Sequence, residues 1–138
     1  MPVILIDTGP LTALLNPNDQ HHDWARDTAR RLPLPLITSE PVLTEVLYLL
    51  RRDACDGDEV FELADSGVVS IGIRFEDQRK SLRQLLARYR DVPMSLADAT
   101  LVRLSELYPD CRVFTLDADF RIYRRQRHKL IPVLMPEA

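Results

Sequence analysis

The chain has 138 residues, 18 Lys and Arg against 21 Asp and Glu, a formal charge of −3, and 46% apolar residues. That length predicts one domain, residues 1–138, with enough chain to bury a real core, and the composition is ordinary for a soluble globular protein. The charge balance argues against a protein that coats nucleic acid by bulk electrostatics, and no stretch approaches the ~20 apolar residues of a membrane helix.

The first element is a buried strand over residues 2–7, a four-residue apolar run ending on Asp7. With no basic region ahead of it, this start does not read as a signal peptide. Pro10 then suits the first turn of a short helix ending at Leu15. The segment "NPNDQHH" is a loop, followed by an amphipathic helix over 22–32. Residues 34–39 predict a second short strand, and 40–52 a strongly apolar helix. A helix near 57–66 leads to a third strand at 68–73. Leu82, Leu85, Leu86 and Tyr89 give helical spacing to 76–91. The remainder reads as a helix at 95–108, a strand at 112–117, a helix at 119–127 and a last strand at 130–134. Cys55 and Cys111 stand far apart without metal-ligand spacing, which predicts reduced thiols and a cytoplasmic location.

Strands alternating with helices predict a parallel sheet between helix layers. Ligands in such sheets bind beyond the carboxyl ends of the strands. Asp7 ends the first strand there, and Asp117 ends the fourth. Both also precede helices, where an Asp caps free N–H groups. Asp98 matches a capping box with Ser95, yet shares an inward stripe with Leu101 and Val102. Glu45 sits mid-helix among apolar neighbours, expensive unless it is ion-paired, with Arg52 or another Arg, or metal-bound.

Four such acids repel one another severely without a cation. An all-oxygen set without His or Cys suits Mg²⁺ or Mn²⁺ and disfavours zinc. Asp119 is a further candidate ligand, with an exposed first-turn Asp as the alternative. Thr8 and Thr115 beside the strand ends are candidate supports for a water or a carboxylate. No phosphate-cradling glycine loop or nucleophile elbow is present. Of the 18 cations 16 are Arg. Arg121, Arg124, Arg125 and Arg127 are weaker candidates for phosphate contact, as are His21 and His22 in the loop after the first helix. Solvated helix and loop surfaces carry the same residue types.

Four blocks, "LIDTGPLTALL", "PVLTEVLYLL", "MSLADATLV" and "VFTLDADFRIYRR", resemble in order and spacing the PIN-domain proteins, most of all the VapC-type toxin ribonucleases of toxin–antitoxin pairs. The resemblance covers essentially the whole chain. It implies a three-layer α/β/α sandwich with a central, mostly parallel sheet whose first and fourth strands are neighbours. It also implies that Asp7, Glu45, Asp98 and Asp117 form an acidic metal site. Similar proteins often have one more residue between the two acids of the last block, so Asp119 is displaced from the usual second position.

The expectation is a Mg²⁺- or Mn²⁺-dependent endoribonuclease. An antitoxin partner and homodimerisation follow from the resemblance alone. The alternatives are a catalytically weak or inactive PIN-like module that binds RNA or a protein, and a metal-dependent phosphatase or nuclease acting on DNA.

Overall fold

The computed structural model describes residues 2–137; Met1 and Ala138, the ends of the expected domain, lie outside the described residues. Five strands form one parallel sheet: β1 (Val3–Ile6), β2 (Leu36–Thr38), β3 (Val69–Ile71), β4 (Cys111–Phe114) and, after a short hairpin of β5 (Arg124–Arg125) and β6 (Lys129–Leu130), β7 (Val133–Leu134). Their order is β3-β2-β1-β4-β7, so the first and fourth strands are hydrogen-bonded neighbours. Helices α1 (Thr8–Leu15), α2 (His22–Ala29), α3 (Glu40–Arg52), α4 (Asp58–Asp65), α5 (Phe75–Arg88) and α6 (Leu96–Leu107) complete the α/β/α sandwich.

β1 lies at the centre, and Ile4, Leu5 and Ile6 are all buried, as both faces of a helix-covered parallel strand must be. Val113 and Phe114 of β4 extend the same core, which Leu101, Val102 and Leu104 of α6 join. Truncating Phe114 to Ala would cost roughly 3–5 kcal/mol, the usual range for a fully buried aromatic ring.

Two stretches depart from expectation. Residues 119–127 do not form a helix: a 3₁₀ turn covers Ala118–Arg121, and the chain then enters the β5–β6 hairpin. Local propensity yields here to tertiary contacts. Tyr123 is drawn into the core, and the Arg125 guanidinium donates to the carbonyls of Ser105 and Pro109 at the end of α6. Gln126 and Arg127 then take positive φ (51° and 72°), which no helix tolerates. The expected last strand over 130–134 is also divided, between the hairpin and the main sheet.

Candidate active site

The β1–β4 register places Ile6 opposite Phe114. The Asp7 N–H extends that ladder to the Phe114 carbonyl at 3.0 Å, so Asp7 emerges next to Thr115. Asp7 is 5% exposed. One of its oxygens, Oδ1, accepts from the Thr8 N–H at 2.8 Å, and Oδ2 accepts from the Thr115 hydroxyl at 2.7 Å. Asp7 is therefore the N-cap of α1, and it also faces a strand-end hydroxyl of the adjacent strand.

That hydroxyl has a second task, because Thr115 Oγ1 accepts from the Asp117 N–H at 2.9 Å. Asp117 Oδ1 in turn accepts from the Asp119 N–H at 2.9 Å, which starts the 3₁₀ turn. Gly9 lets the first turn of α1 lie against this loop: a Cβ there would meet Leu116 at 3.1 Å.

The helical acids are held by the same kind of donor. Thr8 Oγ1 donates to Glu45 Oε1 at 2.7 Å, tying α1 to α3. Ser39 and Thr100 share a hydroxyl hydrogen bond of 2.7 Å that ties the start of α3 to α6. Asp98 completes a capping box with Ser95, its Oδ2 accepting from the Ser95 N–H at 3.2 Å. The same oxygen accepts from the Tyr123 hydroxyl at 3.0 Å.

Electrostatics set these acids apart. Burial pushes Asp7 up from 3.8 to about 7 against the hydrogen bonds of Thr115 and Thr8, and the charges of Asp98 and Asp117 add to the rise. Burial likewise lifts Asp98 against its donors Ser95 and Tyr123, with Asp117 adding to it. The mutual effects place Asp7, Asp98 and Asp117 within one another's field. Among the described residues, no Lys, Arg or His forms a salt bridge with Asp7, Glu45, Asp98 or Asp117. Arg52, the expected partner of Glu45, pairs with Asp53 at 3.1 Å instead. No described donor reaches Glu45 Oε2, Asp98 Oδ1 or Asp117 Oδ2, so each keeps one oxygen clear of protein hydrogen bonds.

Among the described residues no three His, Cys, Asp or Glu side chains form a ready-made metal cage.

Sequence reasoning missed Tyr123. Its ring is buried against Phe120 and Tyr89, at centroid distances of 5.3 and 5.1 Å, and its hydroxyl reaches Asp98. Burial and then the Asp98 charge hold the phenol well above its ordinary value, so it stays a donor. Only the apolar pair Phe120 and Tyr123, inside a basic run, signalled it.

The basic candidates divide. Arg121 and Arg127 are exposed. Arg124 turns back on the carbonyls of Arg121, Ile122 and Tyr123, and Arg125 on α6. His22 Nδ1 meets the Ala13 carbonyl at 2.7 Å, joining α2 to α1. His21 packs edge-on to Trp24, which packs on Phe114.

Residues 4–126 match the sequence profile of the PIN domain. The chain belongs to the PIN domain family. Among solved structures, the crystal structure of Mycobacterium tuberculosis VapC20, a sarcin–ricin loop cleaving toxin, is similar to this PIN domain with a TM-score of 0.79 at 24% identity. The match covers 91% of this chain and 98% of that one. A search of curated proteins finds no match.

Proposed function

We propose that this PIN domain is a metal-dependent endoribonuclease and the toxin of a toxin–antitoxin pair, a role that the name of its structural neighbour supports. One observation carries the reading. Asp7 is buried, within the field of two other carboxylates, and has only hydroxyl and amide donors for company. An uncompensated buried acid of this kind calls for a cation, and the all-oxygen donor set fits Mg²⁺ or Mn²⁺.

Asp7, Asp98 and Asp117 would position the ion, some directly and the rest through its waters, with Glu45 completing the set and Asp119 as a further candidate. Bound there, the ion supplies Lewis acidity toward water and positive charge for a phosphodiester. The chain's own residues do the rest. Thr115 fixes Asp7 and the Asp117 backbone together. Tyr123 and Ser95 fix one oxygen of Asp98 and leave the other free. Thr8 holds Glu45 by Oε1, so that Oε2 orients the attacking water and takes its proton. In-line attack on phosphorus leaves a 5′-phosphate and a 3′-hydroxyl.

Exposed Tyr48 on α3 and Phe61 on α4 support a homodimer interface. An antitoxin that inserts an Arg or Lys among the acids would take the cation's place. Cutting RNA as such a toxin places its action in the cytoplasm; no described helix is long and apolar enough to cross a membrane.

The test is incubation of the purified protein with structured and single-stranded RNA in Mn²⁺, Mg²⁺ or EDTA. Cleavage with a divalent ion, abolished by EDTA and by Asp98→Asn, is expected. Cleavage that survives either treatment would sink the metal-site reading. RNA binding without cleavage under any condition would make the protein a passive module.

A further inference from the structure

Two grooves meet at Phe75 and Leu96. The first, about 520 Å³, lies between Pro41 and Glu45 of α3, Phe75 at the start of α5, and Leu96 and Ala97 at the start of α6. The second, about 530 Å³, runs along α5 past Arg79, Lys80, Leu82 and Arg83. Phe75 and Leu96 line both, so the two form one trough with acids at one end and cations at the other.

The chemistry along this trough is specific. Phe75 is 56% exposed, an aromatic face left open where the two grooves join. Arg79 reaches Glu76 at 3.4 Å, whereas among the described residues no carboxylate forms a salt bridge with Lys80 or Arg83. Arg79 and Arg83 stand four residues apart on one helix face, a like-charge arrangement that is mildly unfavourable by itself. Eight residues of helix separate Phe75 from Arg83, about 12 Å along the axis. An apolar floor, an open ring and a cationic rim together match a strand whose bases stack while its phosphates follow the cations. A duplex offers phosphates alone and leaves the ring and floor unused.

We infer that this trough is the binding track for single-stranded RNA. Phe75 is the base-stacking platform, Lys80 and Arg83 contact phosphates, and the strand reaches the acidic site at the Glu45 end. The identity of the strand rests on the ribonuclease reading; its binding does not require cleavage.

The experiment is fluorescence anisotropy of a short labelled oligouridylate in EDTA, titrated with the full chain at several salt concentrations. Phe75→Ala weakens binding about tenfold, and Phe75→Tyr restores it. The double variant Lys80→Ala with Arg83→Ala lowers the slope of log affinity against log salt by about 1.4, two contacts at about 0.7 each. Arg31→Ala, an exposed cation outside the trough, changes neither quantity.

Binding within about twofold of wild type in both trough variants would overturn the inference, as would equal affinity for a blunt RNA duplex. A dimer seen by sedimentation that Phe75→Ala dissociates would assign the trough to a second copy of the chain and also overturn it. If the variants lose binding while wild type cleaves nothing in Mn²⁺, the trough stands and the ribonuclease reading falls. Cleavage by wild type with undiminished binding by the variants has the reverse meaning.

Discussion

Two sets of carboxylates in this protein follow opposite rules. On the outer surface Asp23 and Asp27 pair with Arg26, Asp53 with Arg52, Asp77 with Arg74, and Glu76 with Arg79, all within 4 Å. At the carboxyl edge of the sheet, Asp7, Glu45, Asp98 and Asp117 are held by Thr8, Thr115, Ser95 and Tyr123 and by backbone N–H groups. Pairing a solvated acid stabilises by at most about 1 kcal/mol. Leaving a buried acid without a cation costs far more, and a fold keeps that cost where a site needs the charge. The chain has 18 cations, mostly Arg, yet among the described residues none forms a salt bridge with these sheet-edge acids.

The largest effect expected from breaking this contrast is on catalysis. Asp7→Asn removes one charge of the set while keeping its size, and RNA cleavage in Mn²⁺ falls by about a thousandfold or more. A metal-stabilised transition state draws several kcal/mol from its ion, at about 1.4 kcal/mol per decade of rate. A gel assay of product formation reads this directly.

The same substitution has the opposite effect on stability. Asp7 has a folded pKa near 7 against 3.8 as its ordinary value, so between those values the unfolded chain loses the proton that the folded chain keeps. Stability therefore falls as pH rises through this window, and the full penalty is present above about pH 7. In EDTA at pH 8, Asp7→Asn stabilises the protein by up to about 2–3 kcal/mol, less than the pKa shift alone corresponds to because the amide NH₂ cannot accept from Thr115, and the gain shrinks on acidification. Urea denaturation at both ends of the range measures it. A gain that grows on acidification would contradict the assignment.

Smaller changes sharpen the contrast. Tyr123→Phe removes the Asp98 donor while keeping the ring packing. Cleavage drops about tenfold, as for supporting partners at metal sites, and stability falls by about 1 kcal/mol. On the outer face, Arg26→Ala breaks the pairs with Asp23 and Asp27. It moves stability by less than about 1 kcal/mol and leaves cleavage unchanged.

Much of this contrast was written in local sequence. The run Val3–Ile6 announced a buried strand, and Ser95 with Asp98 announced a capping box; both are in place. The adjacency of β1 and β4 came from the family resemblance, because no local pattern encodes which parallel strands pair. The basic stretch after Asp117 misled for a physical reason. Its helical character is real, but Tyr123 gains more by filling the core, and Arg125 by closing the end of α6. The hydroxyl donors were half legible. Thr8 and Thr115 stood beside the strand ends, but the Tyr123 bond to Asp98 spans 25 residues and depends on a hairpin that periodicity does not predict.

Titration of Mn²⁺ into the metal-free protein at pH 8, followed by calorimetry, tests the central claim that the unpaired acids at the sheet edge are a cation site. Saturable binding by wild type that Asp7→Asn abolishes and Arg26→Ala preserves is the predicted result. Equal binding by wild type and Asp7→Asn, or none by either, would contradict it.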